Sequence, residues 1–321
     1  MVSTKEIVAA NTAFAAKRTS GKVFVFTGAT SGIGAATLEK VATMVDAATF
    51  YVAGRSTPHF APLRAKVEAL NPNIRIVFFE CNVALLADVD AFSALIAGAE
   101  KSVDFLCMSQ GTLPFTGSLE LCVSLSYLSR ARLVSSLLPL LARSPTPARV
   151  LSILNGGKET TLNTRDLGLV QPGSWTPFAA IAQTTMMTTL AWEHLAGLPG
   201  NERVTFLHAF PGLVRTDIGA HIVAPPGSGW WLRVRAAVVR GAVRVMMWLM
   251  GVDAERAGER GAYLLAGAGP AQAGGGAWLV DDKSEVVAGP AAVSRYIAEG
   301  WPERVWEFTV GVFERVLGGA T

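Results

Sequence analysis

The chain has 321 residues, half of them hydrophobic and 17% charged, with a formal net charge of +3. That length and apolar content fit one elaborated α/β domain with a large core, and a charge so small and scattered argues against nucleic acid as a partner. Three cysteines, Cys81, Cys107 and Cys122, lie in or near apolar segments without metal-type spacing, which excludes a disulfide frame, predicts no metal site and fits a reducing, cytoplasmic setting.

The N-terminal stretch as far as Gly21 lacks a long apolar run and reads as no signal peptide. From there on, continuous apolar runs predict buried parallel strands near 22–27, 48–53, 74–80, 103–108, 149–154, 203–209 and 277–281. Helix-like segments fall between and after them, near 32–46, 60–70, 86–99, 118–142, 178–197, 231–250 and 255–267. The alternation predicts a doubly wound, mostly parallel sheet of about seven strands with helices on both faces, a Rossmann fold. A single domain over 1–321 is expected, with its core at 20–282 and a C-terminal helical extension at 283–321.

The first strand runs into Thr27-Gly28-Ala29-Thr30-Ser31-Gly32-Ile33-Gly34, which opens a helix. Gly28 lets the chain turn sharply, Gly32 lets backbone approach a pyrophosphate, and Gly34 lets the helix pack on the strand, with Thr30, Ser31 and Ile33 completing the cradle. Free N–H groups at the helix start then meet the phosphates. The second strand ends Val52-Ala53-Gly54-Arg55-Ser56 without the carboxylate that would hold a ribose 2′-hydroxyl. A guanidinium at Arg55, beside Ser56, suits a 2′-phosphate, so NADP(H) is the expected cofactor; the plainer reading of Arg55 is a solvated arginine at a strand end.

The TGxxxGxG spacing resembles the short-chain dehydrogenase/reductase family, over roughly residues 20–282. Asn82-Val83 stands where that family has an acid-aliphatic pair along adenine, and Ser109-Gln110-Gly111 where it has an Asn-Ala-Gly turn. Pro211-Gly212-Leu213-Val214-Arg215-Thr216 looks like its nicotinamide-side motif, with Thr216 near the carboxamide. The resemblance also implies a homo-oligomer built on the helices at 118–142 and 178–197.

The family's catalytic set is altered. None of the four tyrosines begins a YxxxK. By landmark the catalytic asparagine falls at Ser126, the serine at Asn155, and the tyrosine and lysine at Thr176 and Ala180. Tyrosine would protonate a forming alkoxide, and lysine would lower its pKa, so ordinary ketone reduction by that route is excluded. Ser126-Tyr127-Leu128-Ser129-Arg130, then Asp166-Leu167-Gly168-Leu169 with Pro172-Gly173, then Met187 to Glu193, resemble a divergent fungal branch that includes reductase/Diels–Alderases of prenylated indole alkaloid biosynthesis. Members of that branch lack the tyrosine and lysine and rely on an arginine and an aspartate, which carry over to Arg130 and Asp166.

One helical turn beyond Ser126, Arg130 is expected to project toward the cleft, and Asp166 lies in a loop at the carboxyl end of the sheet. An iminium acceptor needs only a nearby carboxylate, because hydride transfer neutralises its charge, whereas a ketone would need a proton. Asp166 as a turn former and Arg130 as a structural ion-pair partner are the plainer readings. Tyr127 reads as core, and a pocket role for His221 is the weaker of its two readings. The leading expectation is an NADPH-dependent reductase of specialised metabolism acting on an iminium or activated carbonyl of an apolar small molecule, with cyclisation as a coupled outcome. The alternatives are a non-redox isomerase or cyclase and a catalytically silent nucleotide-binding protein.

Trp230 to Met250 would span a bilayer in length, but four arginines interrupt it. Arg233, Arg240 and Arg244 share one helix face, opposite Trp231, Val238 and Val245. The first reading is a packed helix with snorkelling arginines; a lid at 225–251 over the substrate and peripheral membrane contact are the alternatives.

Overall fold

A computed structural model describes residues 2–112, 119–215, 227, 229–266 and 275–318, without the side chains at 119, 243 and 246–250. Thr216 and His221 therefore lie outside the described residues.

The chain opens with α1 (Thr4–Ala15), an element the sequence pattern did not single out. Ser3 Oγ accepts from the Glu6 N–H, and Glu6 Oε2 accepts from the Ser3 N–H, a reciprocal cap that starts the helix. Then come β1 (Ser20–Thr27), α2 (Gly32–Ala42), β2 (Ala47–Gly54), α3 (Thr57–Leu70), β3 (Ile74–Glu80), α4 (Leu86–Ala99) and β4 (Phe105–Met108). The predicted helix at 118–142 is interrupted: α5 (Leu119–Val123) passes through a π-helical turn, Ser124–Leu128, into α6 (Ser129–Ala142). β5 (Ala148–Ile153), α7 (Pro177–Gly197), β6 (Val204–Ala209), α8 (Trp230–Met250), α9 (Ala254–Leu265), β7 (Gly276–Val280), β8 (Val286–Val287), α10 (Ala291–Ala298) and α11 (Trp301–Gly318) complete the order.

The sheet has the order β3-β2-β1-β4-β5-β6-β7-β8, parallel throughout except that β8 runs antiparallel to β7. β8 has two residues, too few for alternation to reveal. Register stacks aromatic side chains across the first strands: Phe24 lies beside Phe50 and Phe105, with ring centroids 5.2 and 4.5 Å apart. One core lies between the sheet and α4, α6, α7 and the C-terminal helices, and a second under α1, α2, α3 and α9. Both faces are thus covered, which is why the strands read as unbroken apolar runs.

Two helices depart from expectation. α11 packs along α7; His194 stacks on Trp306 at 5.8 Å, and Arg132 of α6 sits 5.3 Å from the Phe313 ring. The chain's own C-terminal helix therefore occupies part of the face that the family resemblance assigns to a dimer. In α8, every described side chain from Trp230 to Val245 except Ala236 is exposed. The packed-helix reading of 231–250 is corrected for the side chains described as far as Val245: the apolar positions have the periodicity of a packed helix, yet no described element covers them.

Candidate functional site: a nucleotide crevice over a buried polar layer

The strand order reverses between β1 and β4, and parallel sheets bind ligands at such a point, beyond the carboxyl ends of the strands. Here the two strand ends are tied together. Ser109 donates its N–H to Thr27 O at 2.9 Å and its hydroxyl to Gly28 O at 3.0 Å, and Thr27 Oγ1 donates to Gln110 Oε1 at 2.7 Å. Gly28 has φ of +72°, and a Cβ there would overlap the Gln110 backbone, with the Gln110 Cα only 2.6 Å away. A Cβ on Gly34 would lie 2.6 Å from Gly28 O. Any side chain at either position would force the turn off the sheet.

Ser31 precedes α2 without a side-chain cap, so the first-turn N–H groups, with Gly32 at φ +58°, are left for a ligand. Gly54, at the end of β2, fits against Thr30, where a Cβ would sit 2.6 Å from the Thr30 methyl. Arg55 follows it, exposed, and no described carboxylate pairs with it. These residues fit a pyrophosphate and a second phosphate: backbone donors at the turn, and a free guanidinium at the neighbouring strand end. Ser56 has a structural duty as well, its Oγ accepting from the His59 N–H to cap α3.

Around the rim, Asn82 folds onto its own turn, its Oδ1 accepting from the Ala84 N–H at 3.2 Å, while Val83 packs partly buried on the core. Gly111 is exposed beyond Gln110. Pro211 and Gly212 follow β6, Gly212 with φ of +73° beside Asp282, and Val214 pairs with Val252 in an isolated parallel bridge.

Arg130 is not where the helix spacing put it. It is fully buried and points into the protein under the strand ends. Its Nη1 donates to Met108 O at 3.0 Å and Ser152 Oγ at 2.8 Å, its Nη2 to Gln110 O, and its Nε to Leu125 O at 3.1 Å. The π turn at Ser124–Leu128 changes the angular offset that a regular helix would give Ser126 and Arg130. Burial pulls the guanidinium pKa down to about 9, which still leaves it charged at neutral pH. Through these bonds Arg130 ties the ends of β4 and β5 to the π turn.

No described hydrogen bond or ion pair joins Asp166 to Arg130. Its two carboxylate oxygens accept from the Val170 and Gln171 N–H groups at 3.0 and 2.8 Å. Burial opposes ionisation, but the Gln171 and Val170 donors outweigh it and hold the carboxyl below its usual value. Thr176 caps α7 by accepting from the Ala179 N–H, Ala180 is buried behind it, and Asn155 and Ser126 carry neither a phenol nor an ammonium to the site. Tyr127 is core, its hydroxyl 2.5 Å from Thr309 of α11.

A second buried polar cluster was not assembled from the sequence. Glu159 (after β5), Thr189 (α7) and His208 (β6) meet in the core: Thr189 Oγ1 donates to Glu159 Oε1 at 2.7 Å and lies 2.9 Å from His208 Nδ1. A hydroxyl has one proton, so with the carboxylate accepting it Thr189 must accept from His208, which is then the neutral Nδ1–H tautomer. Burial, opposed by Glu159 and aided by the nearby Arg130 charge, holds the His208 pKa below its ordinary value, while polar contacts with His208 and Thr189 outweigh burial and hold the Glu159 carboxyl below its usual value. His208 adjoins Ser152 in strand register, so the cluster continues the Arg130 layer across the sheet. No periodicity could have linked these three; only the parity of His208 and Ser152 on adjacent strands hinted at a shared face.

A doubly wound sheet with a glycine-lined turn at its switch point defines a Rossmann-type fold. No protein-family model matches the chain. Oxidoreductase lepF of Aspergillus flavus is 34% identical over 99% of this chain and 98% of its own length, and oxidoreductase AN1596 of Emericella nidulans is 31% identical over 99% of each. Among solved structures, NADPH-bound carbonyl reductase from chicken fatty liver superposes with a TM-score of 0.56 at 14% identity, over 84% of this chain and 99% of that one. The chain belongs to the short-chain dehydrogenase/reductase family, in a divergent fungal branch.

Proposed function

We propose that the protein is an NADP(H)-dependent reductase of fungal secondary metabolism that delivers hydride to an iminium or similarly electron-poor carbon of an apolar small molecule. The observation that carries the cofactor choice is the end of β2: an exposed Arg55 without a described acidic partner, one residue beyond the Gly54 that packs on the phosphate turn. The turn from Gly28 to Gly34 would hold the pyrophosphate, Arg55 and Ser56 the 2′-phosphate, and Asn82 and Val83 the adenine side. Ser109, Gln110 and Gly111, then Pro211, Gly212, Val214 and Thr216, would line the path to the nicotinamide. NADPH supplies the hydride when bound.

What the chain itself supplies is shape and potential. Thr176 and Ala180 supply neither a phenol nor an ammonium to protonate an alkoxide, so an acceptor that is already cationic suits the site best. Asp166 in its loop would hold negative potential near such a cation, and Arg130 would fix the strand ends on which the ring rests. Cyclisation of a folded apolar substrate would need no further group than the pocket wall. No described helix is long and apolar enough to cross a membrane, and three buried free thiols support work in a reducing cytoplasm.

Calorimetry with NADPH and NADH, on the wild type and on Arg55→Ala, tests the cofactor. Arg55→Ala should weaken NADPH about ten- to a hundredfold and leave NADH unchanged. Equal wild-type affinities would sink the NADP(H) reading. Loss of NADPH absorbance with a panel of cyclic imines then tests the chemistry; product formed without that loss would favour an isomerase or cyclase.

A further inference from the structure

The described ends of the segment between Val214 and Val252 are pinned together at its base. Arg215 N–H donates to Val252 O at 2.9 Å, Val252 N–H to Leu213 O at 2.8 Å, and the Arg215 guanidinium meets Asp253 at 2.7 Å. α8 rises from this clasp as a helix of 21 residues, roughly 30 Å long. Its exposed side chains include Trp230 at 62%, Trp231 at 68% and Val238 at 64% of their full accessibility. The two indoles stack on each other at 3.9 Å rather than on the body of the protein. Apolar area of this kind is retained on a surface when something covers it.

The charge pattern says what kind of surface. The helix carries Arg233, Arg235, Arg240 and Arg244 and no carboxylate. At about 100° per residue, Arg233, Arg240 and Arg244 fall within about 40° of one another, while Val234, Val245, Val238 and Trp231 fall together on the other side. Arg235 lies on the apolar side, where its long stem allows the guanidinium to reach outward. One cationic edge, a broad apolar face with a tryptophan pair at one end, and no acid is the composition of a helix lying in a lipid interface. A protein partner of matching greasiness would demand no such uniform positive charge.

We infer that α8 is a docking helix that seats the protein on a lipid bilayer bearing anionic headgroups, with the apolar face in the acyl boundary and the arginine edge among the phosphates. The helix lies in the membrane plane and does not cross it, since four arginines would be carried through the hydrocarbon. Its base adjoins Pro211 and Gly212, so the docked protein would hold the nicotinamide end of its crevice close to lipid, where an apolar substrate partitions.

Flotation of the full-length protein with vesicles of phosphatidylcholine, with and without phosphatidylserine, tests this. The protein should float with the phosphatidylserine vesicles, release progressively as salt rises, and show a blue shift of tryptophan emission. The triple variant Arg233→Glu, Arg240→Glu, Arg244→Glu should lose on the order of a hundredfold in partitioning, with its thermal midpoint and NADPH affinity unchanged. Absence of flotation with phosphatidylserine overturns the proposal, as does binding indifferent to both lipid charge and salt, a wild-type measurement that needs no variant. A dimer in solution that Trp230→Ala with Trp231→Ala dissociates would overturn it too, by giving the face to a second copy. NADPH binding is read separately, so failure of the cofactor assignment and failure of the docking helix are distinguishable.

Discussion

Gly156 lies flat against the backbone of His208: a Cβ at that position would overlap the His208 carbonyl and come within 3.0 Å of the Ala209 N–H. The loop that leaves β5 therefore grazes the end of β6, and the two strand ends that floor the crevice are held at a fixed spacing. Gly156→Ala should destabilise the fold by about 1–3 kcal/mol through overpacking, because the opposing atoms are backbone and cannot rotate away. A chemical denaturation midpoint reads this directly; an unchanged midpoint would mean the loop can shift without disturbing the sheet.

Arg130 offers a sharper separation of roles. Its donors engage three carbonyls and one hydroxyl in the interior, so Arg130→Ala leaves those acceptors unsatisfied and should cost about 2–5 kcal/mol of stability. Arg130→Lys keeps the charge but cannot reach four acceptors with one ammonium, and should fall between. Urea unfolding of the three proteins checks the order. If Arg130→Ala abolished turnover while leaving the midpoint at the wild-type value, the residue would act on the substrate and not through the frame.

The Glu159–Thr189–His208 cluster predicts how acid affects the fold. His208 has its folded-state pKa below the ordinary 6.5 because burial disfavours imidazolium. Glu159 is held below 4.5, its hydrogen bonds outweighing burial. In both cases the unfolded chain binds protons that the native chain refuses, so stability is complete above the unfolded values and declines as pH falls. Unfolding free energy should drop below about pH 6.5 and again below about pH 4.5. In His208→Asn the first decline should be shallower than in the wild type, whatever the variant's absolute stability. Denaturation curves across pH 8 to 4 compare the two, and identical slopes would remove His208 from the account.

α11 predicts the assembly state and part of the stability. Because its residues cover part of α7 and reach Arg132 of α6, α11 competes with pairing through those helices, and light scattering should give a monomer. Tyr127→Phe removes the hydroxyl contact to Thr309 and should cost about 1 kcal/mol, measured as a shift in thermal midpoint. Removing residues 300–318 should bare apolar surface on α7 and produce self-association, detectable in the same scattering experiment.

The sheet was legible along the chain because buried parallel strands are apolar on both faces, so runs such as Val23 to Phe26 and Val204 to Ala209 mark themselves without any knowledge of neighbours. The phosphate turn was legible because its glycine spacing sits between a strand and a helix, although what makes Gly28 and Gly34 necessary in the fold is the approach of Ser109 and Gln110 from beyond β4. Strands shorter than a pattern, such as Val286–Val287, left no such mark.

The surroundings of a side chain depend on elements far apart in sequence, and there the local pattern misled. Four-residue spacing aimed Arg130 at the cleft; a π turn and the carbonyls of Met108 and Gln110 turned it inward. Periodicity gave α8 a packed apolar face, and among the described residues nothing packs on it as far as Val245. Glu159, Thr189 and His208 lie on three separate elements, and only the sheet register and the seat of α7 bring them within hydrogen-bond reach. Backbone conformation and burial of a strand follow from short-range chemistry, while the partner of a buried charge is chosen by topology.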